Sequence, residues 1–280
     1  MEVQGFRTKM KKFLDKGMRQ RDVVEWIIQN YPVDKVTALS IYRYYREHYL
    51  YTGGKIPVKG ELLVEETQDP RGRRYVVFHA LYGRRVNDAL SRATAIIASD
   101  MIGSNVGITV SDNGYALQIP RGSNLDINKL IETIAYADLE NLLRRNIRRT
   151  ELMKRRFRHC AARSFLVLRN YKGYKISVSK QQTNAQTLLN VCEEIDPSFP
   201  VLEETYREIL QDIMDLKRAK LVQLWIRERQ VKVTVVKTPV PSPLSHNLII
   251  LGEADVIFME DRKKRLMQLH EMVMRMLEGK

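Results

Sequence analysis

Two pairs of short β-prone runs, each pair joined by turn residues, interrupt an otherwise helical sequence and constrain the fold more than any other feature. Glu61–Glu66 and Arg73–His79 flank the turn-forming stretch Gln68-Asp69-Pro70-Arg71-Gly72. Proline and glycine between two such runs predict a hairpin. The second pair is Val106–Ser111 and Tyr115–Ile119 around Asp112-Asn113-Gly114. Asn-Gly is the stronger signal, because both central positions of a tight hairpin turn want positive φ. Between the pairs, Val86, Leu90, Ala93 and Ile97 follow Gly83 at helical spacing.

The flanking sequence reads as helices. Met10, Phe13, Met18, Val23, Val24, Trp26, Ile27 and Ile28 mark a buried stripe. Tyr31-Pro32 breaks it, and Asp34 caps a second helix carrying Val36, Leu39, Ile41 and Tyr45. Such a helix–break–helix can read DNA or simply pack. Gly53-Gly54 and Pro57 form a loop, so residues 1–58 are expected to make an N-terminal helical segment ahead of residues 59–280. A helical region is expected from Asp126 to about Asn170, with a break near Thr150 and an end at Gly173. Helices over Ser179–Glu194, Val201–Asp215 and Lys217–Glu228 follow, then a valine-rich strand at Gln230–Lys237. Pro239, Pro241 and Pro243 read as a stiff linker before an apolar tail from Ser245, helical from Glu260 to Leu277.

Charge narrows the partner. There are 47 Lys plus Arg against 33 Asp plus Glu, a formal net charge of +14. Such an excess suits a polyanion whose condensed counterions it displaces. No run approaches the roughly 18 apolar residues of a membrane span, and no apolar signal core precedes the basic N-terminus. A soluble, cytoplasmic protein without membrane contact is expected. Cys160 and Cys192 form no Cys-x-x-Cys pair, and His48, His79, His159, His246 and His270 lack metal-ligand spacing, so no metal is expected. Gly53-Gly54-Lys55 lacks the earlier glycine and the following Ser or Thr of a phosphate-binding loop. No catalytic constellation emerges from spacing.

The basic residues concentrate. Arg144, Arg145, Arg148, Arg149, Lys154, Arg155, Arg156, Arg158, Arg163 and Arg169 lie between Asn141 and Arg169, with Glu151 as the only acid. On a helix, Arg144, Arg145, Arg148 and Arg149 would share a ridge. Like charges this dense repel unless an anion answers them, and guanidinium forks suit phosphate oxygens and stack on bases. The alternative is a solvated face neutralised by acids from elsewhere in the fold. Arg84, Arg85 and Asn87 open a helix whose N-terminus favours phosphate, with Arg92 a further cation on it. Tyr171, Lys172, Tyr174 and Lys175 interleave rings with cations, as single-strand binders do. Gln181 and Gln182 offer amides for base edges or for a helix cap.

Long stretches resemble a known family. Val77-Phe78-His79-Ala80-Leu81-Tyr82-Gly83-Arg84-Arg85-Val86-Asn87-Asp88-Ala89-Leu90-Ser91-Arg92-Ala93 resembles the DEAD/H-associated region of archaeal Lhr-type (large helicase-related) superfamily-two helicases. So do Arg155-Arg156-Phe157-Arg158-His159-Cys160-Ala161-Ala162-Arg163 and Leu168-Arg169-Asn170-Tyr171-Lys172-Gly173. Phe199–Glu208, Ser242–Leu248 and Met259-Glu260-Asp261-Arg262 continue the likeness in order. In that family two motor domains and a winged helix precede this region, and none of them has a counterpart here. The resemblance implies an α+β fold: a small twisted antiparallel, barrel-like sheet surrounded by many helices, similar to an AlkZ-type glycosylase domain. It implies an accessory domain guiding single-stranded or tailed DNA or RNA behind the motor, with the motor domains in cis or on another chain as partners. ATP and Mg²⁺ would belong to those motors, and no cofactor is expected in this chain. Two alternatives are a glycosylase-like base-excision activity, with Asp88 and Asp112 as conjectural groups, and a protein-docking module using Leu248–Phe258. The nucleic-acid contacts expected are Arg84, Arg85, Asn87, Arg92, Arg148, Arg155, Arg156, Arg158, Arg163, Arg169, Tyr171, Lys172, Lys175, Gln181 and Gln182.

Overall fold

A computed structural model describes residues 2–252 and 259–279. Its elements in chain order are α1 (Glu2–Asp15), α2 (Gln20–Asn30), α3 (Lys35–Tyr51), β1 (Glu61–Gln68), β2 (Arg74–His79), α4 (Arg84–Ile102), β3 (Gly107–Ser111), β4 (Gly114–Ile119), α5 (Ile127–Tyr136), α6 (Leu139–Ile147) and α7 (Glu151–Arg163). The rest are β5 (Asn170–Tyr171), β6 (Tyr174–Lys175), α8 (Val178–Ile195), α9 (Pro200–Arg207), a π-helical turn at Glu208–Ile213, α10 (Leu216–Arg227), β7 (Lys232–Lys237), a 3₁₀ turn at Pro243–Ser245, α11 (His246–Gly252) and α12 (Met259–Glu278).

The fold is α+β. Both expected hairpins form, and their strands join with β7 in the order β3-β4-β2-β1-β7. The sheet departs from the expectation in two ways. β7 runs parallel to β1, which makes the sheet mixed. β3 and β7 are its two edges, so it is open rather than barrel-like. The local reason is visible in β1: Leu62, Leu63, Val64 and Glu65 are consecutive buried residues, as in a central strand covered on both faces. Phe78 and Tyr115 pair across β2 and β4 and stack at 4.6 Å on the face where Thr94 of α4 meets the Tyr115 hydroxyl. Val77 pairs with Ala116 and clusters with Leu248 and Ile249 of α11. Leu248 and Ile249 are therefore core rather than a docking surface, while residues 253–258 of that expected surface lie outside the described residues.

The second hairpin turns one residue earlier than Asn-Gly predicts. Ser111 pairs with Gly114, which leaves Asp112-Asn113 as the loop. Gly114 sits in the strand at φ +154, where a Cβ would collide with the Phe78 carbonyl oxygen. Its glycine serves close strand approach rather than a turn.

The chain divides into two compact units, Met1–Ala135 with Gln223–Lys280, and Tyr136–Val222. Residues 1–58 and the sheet that follows them belong to the same unit. In the first unit the N-terminal stretch is three helices, because Gly17 at φ +62 breaks the first stripe. Asp34 caps α3 by accepting from the Thr37 backbone N–H at 2.7 Å. Met10, Val23, Ile27, Tyr42 and Tyr45 cluster with Ile56. The proline-rich stretch is no linker. Val240, Ser242, Pro243 and Ser245 are buried, and Glu65 on β1 explains why. Its fully buried carboxylate accepts from Thr238 Oγ1 (2.7 Å), the Ser242 backbone N–H (2.7 Å), Ser242 Oγ (2.6 Å) and Ser245 Oγ, with His79 Nε2 at 3.0 Å. A buried carboxylate needs such partners, and the prolines hold the donors in place.

The second unit is helical apart from the β5–β6 hairpin. The helical region expected after Asp126 breaks near Thr150, as expected, and also at Asp138. Asp138 caps α6 and Thr150 caps α7, each accepting from a backbone N–H three residues on. α7 ends at Arg163, short of the expected Asn170, and α9 gives way to the π turn instead of running to Asp215. Leu143, Ile147, Met153, Phe157, Leu189 and Leu202 are buried in this unit.

Candidate nucleic-acid interface

The arginine run lies in the second unit and splits by helical spacing. Arg144 and Arg148 share one ridge of α6, and both are spent on carboxylates. Arg144 makes a bidentate pair with Glu203 of α9 at 2.9 and 3.0 Å, with its guanidinium 4.8 Å from the Tyr206 ring centroid. Arg148 meets Glu193 of α8 at 2.9 Å. On α7, Arg156 and Arg163 lie seven residues apart, two helical turns, and both reach Glu208, a buried carboxylate on the π turn. Lys154 pairs with Glu151 at 2.7 Å.

The neighbouring ridges are different. Arg145 on α6 and Arg149 just past its end, Arg155 and Arg158 on α7, and Arg169 beyond it have no carboxylate partner among the described residues. From Leu152 to Cys192 the chain contains no acid at all. So the ridge expected to hold Arg144, Arg145, Arg148 and Arg149 together is two ridges, one neutralised and one not. Arg145 and Arg149 line a surface groove of about 560 Å³ whose walls also carry Arg144 and Arg148 with their partners Glu203 and Glu193. His159 reports how tightly the cations crowd: burial, then Arg158, Arg156, Arg169 and Arg163, lowers its pKa below the usual imidazole value.

After α7 the surface turns aromatic. Phe165 is 82 % exposed and held at φ +57, in the left-handed region that a non-glycine residue seldom occupies. Strain of this kind persists where the surroundings over-determine it, often at functional positions. The Tyr171–Lys175 stretch, expected as a loop, is a β-hairpin in which Tyr171 pairs with Tyr174. Lys172 and Gly173 at its tip both have positive φ, +47 and +81, as a tight two-residue hairpin requires. Lys172, Lys175 and Gln182 are exposed. Gln181 instead donates to the Ile176 carbonyl at 2.8 Å, while Ser177 caps α8.

The remaining expected contacts are in the first unit. Arg84 and Arg85 are exposed at the start of α4. That helix terminus already has an anion, since the Asp112 carboxylate is 3.3 Å from the Arg84 backbone N–H. Asn87 is fully buried, and its amide donates to the Ala80, Ser111 and Asp112 carbonyls. It clamps the strand ends and is out of reach of a strand on the surface. Arg92 pairs with Asp88 at 2.9 Å. Gly53-Gly54-Lys55 closes α3, with Thr52 Oγ1 donating to the Lys55 carbonyl at 2.6 Å. No helix follows to aim N–H groups at a nucleotide, so these residues do not fit ATP. Among the described residues no helix is long and apolar enough to cross a membrane.

Spacing alone missed two groups. Phe165 reads as one more apolar residue of a continuing helix. Glu208 is too far along the chain from Arg156 and Arg163 for any periodicity to connect them.

Comparison with known proteins agrees with the resemblance. The sequence profile described as "DEAD/H associated" matches residues 56–245. The chain belongs to the DEAD/H-associated family. It is 42% identical over 283 residues to an ATP-dependent helicase Lhr-Core from Saccharolobus solfataricus, covering 100% of this chain and 32% of that protein. The Lhr-Core of Methanothermobacter thermautotrophicus is 38% identical over 274 residues, covering 98% of this chain and 31% of that protein. The chain therefore spans about a third of these helicases and corresponds to an accessory part of the Lhr type. The solved structure of Mycobacterium smegmatis helicase Lhr bound to ssDNA and AMP-PNP has the same fold, with a TM-score of 0.69 at 24% identity over 87% of this chain and 30% of that one.

Proposed function

We propose that this DEAD/H-associated chain is the nucleic-acid-binding accessory domain of an Lhr-like ATP-dependent helicase, and that it holds a single-stranded or tailed strand behind the motor. One observation carries the reading: Arg145, Arg149, Arg155, Arg158 and Arg169 have no carboxylate partner among the described residues, and the last three stand on the acid-free stretch 152–192. Arginines left uncompensated cost stability through mutual repulsion, and a strand of phosphates removes that cost. The solved relative holds single-stranded DNA, which supports the same ligand class here. ATP and Mg²⁺ belong to motor domains in cis or on another chain.

The test is the salt dependence of binding. Five phosphates on a single strand, at about −0.7 each, give a slope near −3.5 for log affinity against log salt. Measured by anisotropy with a labelled oligonucleotide, Arg145→Ala/Arg149→Ala/Arg155→Ala/Arg158→Ala should flatten that slope by roughly 2 to 3. A wild-type slope near zero, or an unchanged slope in the variant, refutes the assignment.

A further inference from the structure

The β5–β6 hairpin is a two-stranded sheet of its own. Residues directly opposite on an antiparallel ribbon project from the same face, with Cβ atoms roughly 5 Å apart. Tyr171 and Tyr174 are such a pair, and Tyr174 is 81 % exposed. Tyr171 is 57 % exposed, and the Lys172 ammonium lies 5.5 Å from its ring centroid. Two rings projecting from the same face of a ribbon offer a platform rather than a sandwich.

Folding gives no reason for this exposure. A tyrosine pair on a marginal two-residue ribbon would be better buried, and Lys172 holds a left-handed conformation to close the turn. Charge decides what covers the face. Arg169, Lys172, Lys175 and Lys180 surround it in sequence, on the stretch that contains no acid. An apolar protein partner has no use for that field, whereas nucleobases tethered to phosphates match both the rings and the cations.

Resting on the function proposed above, we infer that Tyr171 and Tyr174 form a base-stacking platform for unpaired nucleotides. The platform makes the interface selective for single strands, since bases inside a duplex offer it no free π-face. It has no base preference, because every base presents such a face. The cations of α6 and α7 provide affinity for phosphate, and the hairpin distinguishes unpaired from paired strands.

The experiment compares Tyr171→Leu/Tyr174→Leu, which leaves charge unchanged, with Tyr171→Phe/Tyr174→Phe, which keeps the rings. Binding is measured to a single-stranded oligonucleotide carrying 2-aminopurine and to a duplex of equal length. The leucine variant should lose roughly five- to hundredfold in single-strand affinity. It should also lose the 2-aminopurine quenching, while its salt slope and duplex binding stay as in the wild type. The phenylalanine variant should match the wild type. Unchanged single-strand binding in the leucine variant overturns the platform, leaves the arginine reading standing and assigns the face to a protein contact. An equal loss for single strand and duplex also overturns it. A wild type that binds neither strand refutes the function itself.

Discussion

At the residue scale, burial and charge pull in opposite directions, and Glu65 shows which wins. Burial would raise its pKa, but hydrogen bonds from His79, Ser242 and Ser245 hold it near 2. His48 and His246 lie lower than free imidazole, at about 3 and about 4, chiefly through burial. Both kinds of shift have the same sign of consequence. Glu65 contributes stability above its ordinary value of 4.5, and that contribution is lost as pH falls toward 2. The two histidines stay neutral when folded, whereas the unfolded chain takes up their protons below 6.5. Urea midpoints should therefore fall steadily from about pH 6.5 to about pH 2. Glu65→Ala, which leaves Thr238, Ser242 and Ser245 without their acceptor, should cost about 3–5 kcal/mol and flatten the acid limb below pH 4.5. His159 is a local gauge of the proposed interface. Its pKa is lowered partly by four neighbouring arginines, so a bound phosphate strand should raise it. An NMR titration of its ring protons with and without an oligonucleotide checks this, and an unmoved value would place the phosphates elsewhere.

At the element scale, each helix of the basic region sorts its cations by spacing. The ridge of α6 bearing Arg144 and Arg148 turns to acids of α8 and α9, and the ridge one residue on remains available. On α7, Glu208 holds Arg156 and Arg163 from beneath. The π turn is what brings Glu208 there, a common use of a π-helical segment. Glu208→Gln should release both guanidiniums, destabilise the unit by about 1–3 kcal/mol, and strengthen oligonucleotide binding through two added cations. Thermal melts and anisotropy on the same variant check both effects; weaker binding in a folded variant would make Glu208 a positioning residue for the interface. The same sorting shows why counting arginines overstates the site.

At the scale of the whole molecule, the first unit is discontinuous in sequence. β7 pairs with β1 along six registered positions, and Thr238, Ser242 and Ser245 complete the Glu65 hub from the far end of the chain. Tyr136–Val222 intervenes as a unit of its own. A chain ending at Arg229 would leave Glu65 buried without most of its donors and β1 without one of its two neighbouring strands. Such a truncation should lose cooperative unfolding in the first unit, followed by near-ultraviolet circular dichroism. A folded, cooperative truncation would mean that the hub is dispensable.

Local signals settled much of the fold. Both hairpins, α3 with its Asp34 cap, α4, α8, α10 and β7 follow from periodicity, turn residues and caps, because each depends on neighbours a few residues away. The positions of Arg145, Arg149, Arg155 and Arg158 within a basic run were equally visible. Tertiary structure alone decided the parallel pairing of β7, the openness of the sheet and the burial of the proline-rich stretch. It also decided that Glu203, Glu193 and Glu208, 45 or more residues along the chain, answer Arg144, Arg148 and Arg163. Spacing fixes which side chains share a helix face; only packing between distant elements decides what that face meets.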